Sequence, residues 1–119
     1  MPDLQPQISI IFAMLNGEGF LQRMLNSVKS LSNCEDIEMI IVNNNSTDNS
    51  VEIIKSHEDQ IDIKLLNQEK NLGYAQASNI GVQKAKGRFI FITNVDVIYP
   101  TSDFFVKLIS HHQALQKDH

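Results

Sequence analysis

Aliphatic runs and polar corners alternate along this chain. Four stretches, 8–14, 37–42, 61–66 and 88–93, carry the Ile, Val, Leu, Met and Phe expected of strands. Runs this short and this apolar suit strands covered on both faces of a sheet. Between them the apolar spacing changes to three and four. Phe20, Leu21, Met24, Leu25, Val28 and Leu31 mark one face of a first helix. Val51, Ile53 and Ile54 mark a shorter second one. Ala75, Ala77, Ile80, Gly81, Val82 and Ala85 mark a third, stopped by Gly87. After Tyr99-Pro100, Ser102 and Asp103 open a fourth with Phe104, Phe105, Leu108, Ile109 and Leu115 on its apolar face.

Strands alternating with helices predict an α/β fold: a Rossmann-like, mostly parallel sheet with helices on both faces. Nothing in the chain marks a linker or a repeat, so residues 1–119 are expected to form a single domain. With strand order 3-2-1-4, every strand ends at the same edge. The segments leaving those ends are 15–19, 43–48, 67–73 and 94–96, and three of them are rich in Asn, Asp and Gly. Open α/β sheets hold ligands at that edge, where the strand order reverses.

Charge narrows the partners. Ten Lys and Arg against fourteen Asp and Glu leave a net charge of −4, with no Lys/Arg run. That excludes an electrostatic nucleic-acid binder. It leaves room for a phosphorylated small ligand held by backbone N–H groups and a metal. Cys34 is the only cysteine, which rules out an internal disulfide and suits a reducing, cytoplasmic setting. Residues 1–6 have no basic start and no apolar core, so they do not read as a signal peptide. The longest apolar run, 10–15, falls far short of the ~20 residues of a membrane helix. Membrane contact is therefore expected to be peripheral.

The polar corners carry the candidate chemistry. Ile40-Ile41-Val42 runs into Asn43-Asn44-Asn45-Ser46-Thr47-Asp48. Ser46 reads as a helix N-cap and Asp48 as a first-turn carboxylate. Asn43 and Asn44 suit either a nucleobase edge, since an amide both donates and accepts, or plain turn chemistry. Asn94 and Asp96 follow a strand too apolar to be exposed, and positions i and i+2 project to one side. They could hold a hard cation such as Mg2+ or Mn2+ together with substrate phosphates, or simply cap a turn. Gly73 in Asn71-Leu72-Gly73-Tyr74 allows close backbone approach to an anion at a helix start, or a bare loop-to-helix junction. Gly17-Glu18-Gly19 lacks the third Gly of a dinucleotide fingerprint. His57, His111, His112 and His119 read as solvated surface side chains, and Met14, Met24 and Met39 as core.

Four segments in order resemble the N-terminal half of family 2 glycosyltransferases of the GT-A fold. They are Ser9-Ile10-Ile11 through Asn16-Gly17-Glu18, Ile37 through Ser50, Asn71-Leu72-Gly73-Tyr74 through Asn79-Ile80-Gly81 and Ala85-Lys86-Gly87, and Ile90 through Asp96. The resemblance implies that Ala13, Leu15, Asn16, Asn43 and Asn44 line a nucleobase and ribose pocket. Asn71, Gly73 and Asn79 would border the nucleotide. Asp96 would coordinate a divalent cation, Mg2+ or Mn2+, on the donor diphosphate, with Asn94 and Val95 beside it. The implied partners are a nucleotide-diphosphate sugar donor and a saccharide or lipid-linked acceptor, and the implied reaction is sugar transfer with inversion.

Departures from the family pattern shape the expectation. The usual Pro-Thr-Tyr is Ala13-Met14-Leu15, which removes an aromatic stack on the base. The usual Asp at position 43 is Asn. Asn94 replaces the first Asp of D-x-D, resembling the N-x-D variant of rhamnosyltransferase-like members. Only residues 97–119 follow Asp96, so the chain is expected to be a donor-binding half without the base carboxylate. A catalytically incompetent nucleotide-sugar-binding module is the alternative. A receiver-like domain would need an Asp where strand three ends, and Leu65-Leu66-Asn67 has none. A sheet cut short would leave an open edge, so self-association through that edge is expected.

Overall fold

The computed structural model describes residues 6–117, with side chains as far as Gln113. The readings made on residues 1–5 and on His119 lie outside the described residues, as does the side chain of Leu115. Strands β1 (Ile8–Met14), β2 (Ile37–Asn43), β3 (Asp62–Asn67) and β4 (Phe89–Ile92) form one sheet. All three pairings are parallel and the order is β3-β2-β1-β4, as the alternating pattern predicts. Helices α1 (Glu18–Lys29), α2 (Ser50–Lys55) and α3 (Tyr74–Lys84) fill the crossovers, and α4 (Phe104–Lys117) follows β4. None of the described helices is long and apolar enough to cross a membrane.

The central strands explain the architecture. Every residue of β1 and β2 is buried, so both faces must be covered. On one face Ile8, Ile10, Phe12, Met39 and Ile41 pack against Leu21, Met24, Leu25 and Val28 of α1 and Phe105 of α4. On the other, Ala13 and Val42 meet Ala77 of α3. Small residues let α3 sit close to the sheet. A Cβ on Gly81 would stand 2.5 Å from Ile11 Cγ2.

Two expectations fail here. β4 is not wholly enclosed: Ile90 and Ile92 are 48% and 47% exposed, while Phe89 and Phe91 pack into the core on the α1 and α4 side. The reason is coverage, because α3 lies against β1 and β2 and leaves its face of β4 bare. His57 is buried at 3% exposure rather than solvated. Its Nε2 lies 3.3 Å from Gln22 Oε1, and burial, aided by Lys29, pushes its pKa down despite Asp59.

A buried carboxylate ties down the opposite, N-terminal end of the sheet. Glu38 is 1% exposed and accepts from Ser9 Oγ at 2.5 Å, from Lys86 N at 2.6 Å and from Lys64 Nζ at 2.9 Å. Ser9 Oγ in turn accepts from Gly87 N at 2.8 Å. A Cβ on Gly87 would fall 2.5 Å from Ser9 N, so the chain passes there only as Gly.

Burial raises the Glu38 pKa, but the bonds from Ser9, Lys86 and Lys64 outweigh it and hold the carboxyl below its usual range. A depressed folded-state pKa contributes stability above the unfolded value of about 4.3, and that stability disappears as pH falls through the folded value. Urea midpoints should therefore drop on acidification below about pH 4.3. Glu38→Gln should flatten that slope, and an unaltered slope in the variant would refute the assignment.

Candidate functional site

Parallel register sets the site. Met14, Asn43 and Asn67 stand side by side at the ends of β1, β2 and β3. Asn43 is buried there, and both ends of its amide are occupied. Its Nδ2 donates to Asn67 Oδ1 at 2.9 Å, and its Oδ1 accepts from Ser46 N at 3.0 Å. Asn44, 4% exposed, holds the loop after β3. Its Oδ1 accepts from Leu72 N at 3.3 Å and its Nδ2 donates to Gly73 O at 3.5 Å. Gly73 takes φ +80°, a left-handed backbone that favours Gly, and its N donates to Asn71 Oδ1 at 2.9 Å.

The loop after β1 is locked onto the loop after β2. Asn16 adopts φ 56°, and its Oδ1 accepts from Thr47 N at 2.8 Å and Asp48 N at 3.3 Å. Its own N donates to Ser46 Oγ at 2.8 Å. Ser46 is therefore not the cap of α2. That helix starts at Ser50, and Ser46 is claimed by the crossing loop. Asp48 precedes the first turn and accepts from Ser50 N at 3.0 Å and Ser50 Oγ at 2.5 Å. Burial pushes its carboxyl up, but the bonds from Ser50 and from Glu18 N prevail and lower the pKa.

These locked loops leave a cavity of about 240 Å3 lined by Ala13, Met14, Leu15, Asn44, Asn71, Gly73 and Tyr74. Tyr74, half exposed, reaches across so that its hydroxyl lies 3.5 Å from Thr93 O at the end of β4. The loop after β4 rests on the loop after β1. Val95 Cγ2 sits 3.1 Å from where a Gly17 Cβ would be, so Gly17 makes room for it. Asn94 and Asp96 flank Val95 and are exposed. Asp96 makes no hydrogen bond or ion pair with the other described residues.

The structure thus gathers Ala13, Leu15, Asn44, Asn71 and Gly73 around one cavity. It uses Asn16 and Asn43 to brace the walls, and it sets Asn94, Val95 and Asp96 beyond Thr93 on the β4 side. Asn79 is exposed on α3 and does not line the cavity. Tyr74 was not singled out from the sequence, although an aromatic directly after the left-handed Gly of a loop was the available signal. Among the described residues no three His, Cys, Asp or Glu side chains cluster to hold a metal alone. Another cavity, about 300 Å3 between β4 and α4, is lined by Phe89, Phe91 and Leu108 with His111 and His112. It is apolar and lies away from the loop rim.

Comparison with known proteins places this geometry in a family. Glycosyl transferase family 2 matches residues 9–119. An uncharacterized glycosyltransferase of Haemophilus influenzae is 38% identical over 92 residues, covering 76% of this chain and 36% of that protein. Among solved structures, S. aureus TarS 1–349 in complex with UDP-GlcNAc superposes with TM-score 0.81 at 22% identity, over 87% of this chain and 30% of that one. The mannosyltransferase PcManGT from Pyrobaculum calidifontis, in complex with GDP-Man and Mn2+, gives 0.78 at 22% identity, over 92% of this chain and 33% of that one. The chain therefore spans roughly a third of the length of these proteins.

Asn43→Ala should lower stability by about 1 kcal/mol, since it removes the bonds that buried Asn43 makes to the half-buried Ser46 N and to the exposed Asn67 amide. Urea unfolding measures this, and an unshifted midpoint would show that Asn43 does not brace the rim.

Proposed function

The chain belongs to glycosyl transferase family 2, and from that membership we propose that its loop rim binds the nucleotide of a nucleotide-diphosphate sugar. A divalent cation on the diphosphate completes the site, and the sugar passes to an acceptor hydroxyl with inversion. The observation that carries this reading is the cavity at the parallel strand ends, with the unpaired Asp96 carboxylate on the loop that packs against its β1 wall. Solved structures of the same fold hold UDP-GlcNAc in one case, and GDP-Man with Mn2+ in another.

The chain's own residues suit these tasks. Ala13, Leu15 and Gly73 offer apolar and backbone surface to a base and ribose, with the Asn44 and Asn71 amides at its edge. Mg2+ or Mn2+ held by one carboxylate plus donor phosphates is an ordinary arrangement. Asp96 fits it as a carboxylate with no competing partner among the described residues, and Asn94 adds a neutral oxygen in the N-x-D pattern. When bound, the cation supplies charge that offsets the negative charge developing on the leaving diphosphate. The acceptor in this proposal is a saccharide or lipid-linked hydroxyl. Copies would associate through the free edge of β4, beside its exposed Ile90 and Ile92.

Calorimetric titration with UDP and with GDP, each with and without Mn2+, tests the reading. Metal should raise affinity, and Asp96→Ala should remove that gain, roughly tenfold or 1.4 kcal/mol. Absence of binding by either nucleotide, or a metal gain intact in Asp96→Ala, would overturn it. Donor hydrolysis or transfer by the chain alone separates an enzyme from a binding module.

A further inference from the structure

Neither α1 nor α2 is capped by the side chain of the residue directly before it. Gly17 precedes α1, and the Asn49 side chain makes no capping bond to α2. Uncapped first-turn N–H groups normally find another acceptor. Here Asp48 serves the start of α1 as well as that of its own helix, and Glu18 holds the residue that precedes α2. Glu18 N donates to Asp48 Oδ2 at 3.1 Å, and Asn49 N donates to Glu18 Oε1 at 3.0 Å. Asp48 remains anchored to its own helix through Ser50.

This exchange sits directly behind the Asn16 lock. Asn16 and Asn45 both hold positive φ, at 56° and 70°. Asn tolerates such a backbone, and at Asn16 the bonds to Ser46, Thr47 and Asp48 hold it there. The carboxylates tie the two helix starts to one spacing, and the two loops carrying Leu15 and Asn44 inherit it.

We propose that Glu18 and Asp48 are positioning residues for the rim: a reciprocal cap, touching no ligand, that sets the distance between its β1 and β2 walls. The role rests on the donor-site reading above. Losing one acid frees the N–H it accepts from and loosens the other acid, so both helix starts relax together. The rim then admits a nucleoside diphosphate in a wider, less ordered cavity.

The test compares Glu18→Ala, Glu18→Gln, Asp48→Ala and the double alanine variant. UDP with Mn2+ is the titrant, and hydrogen exchange is followed at the Glu18 and Asn49 amides. Glu18→Ala should weaken UDP about fivefold, the scale of a lost cap. Glu18→Gln, which keeps an acceptor for Asn49 N, should bind as the wild type does. The double variant should lose far less than the product of the single losses, because the acids act as one unit. In each single alanine variant, both amides should lose protection together.

Unchanged UDP binding in Glu18→Ala, a Gln variant as weak as the Ala variant, or multiplying losses would each overturn the proposal. A wild-type chain that binds no nucleoside diphosphate defeats the donor-site reading itself. Coupled exchange of the two amides would then still support the reciprocal cap, and independent exchange would overturn it.

Discussion

The parallel pairing of β1 with both β2 and β4 governs everything at the rim. A strand hydrogen-bonded on both sides and buried on both faces cannot slip, because a one-residue shift would turn its side chains to the wrong layers. Its direction then dictates that the chain leaves β1, β2 and β4 at the same end. Loops separated by dozens of residues in sequence become neighbours, as the contact of Val95 with the Gly17 backbone shows.

Within that frame the polar side chains of the rim divide into two kinds. Asn16 and Asn44 have their side-chain oxygens occupied by backbone N–H groups of adjoining loops, and Asn43 by one of its own loop. A short amide suits this work because it accepts at one end, donates at the other and tolerates left-handed backbone. The rim is therefore stiff before any ligand arrives, which favours affinity by reducing what must be ordered on binding. Asp96 is of the other kind, an exposed carboxylate without a partner among the described residues. A group committed to holding the fold has little left for a ligand, and a group left free has no structural duty to perform.

The sheet is unevenly protected. β1 and β2 are enclosed, β3 is half covered, and β4 is bare on its α3 side. At the far end of the strands, Glu38, Ser9 and Lys64 place a charged network inside the α3 layer and pin the turn that delivers β4. The edge strand that carries Asp96 thus owes its position to a carboxylate at the opposite end of the molecule.

The elements and their order were legible in the chain itself. Short aliphatic runs and apolar spacings of three to four are local properties, and alternation of the two admits essentially one handed, parallel arrangement. The polar corners were legible as well, since the residues ending parallel strands must share an edge. Ser46 shows where that kind of inference stops. Its local context reads as a helix cap, yet its hydroxyl is taken by Asn16 from another crossover. Glu18 and Asp48 were open to the same mistake, because their partners lie thirty residues away. The exposure of Ile90 and Ile92 likewise depended on where α3 came to rest. Short-range pattern determined what each segment is. Only the folded chain decided which polar group serves which neighbour, because hydrogen bonds across loops are chosen by distance in space and leave no periodic trace in sequence.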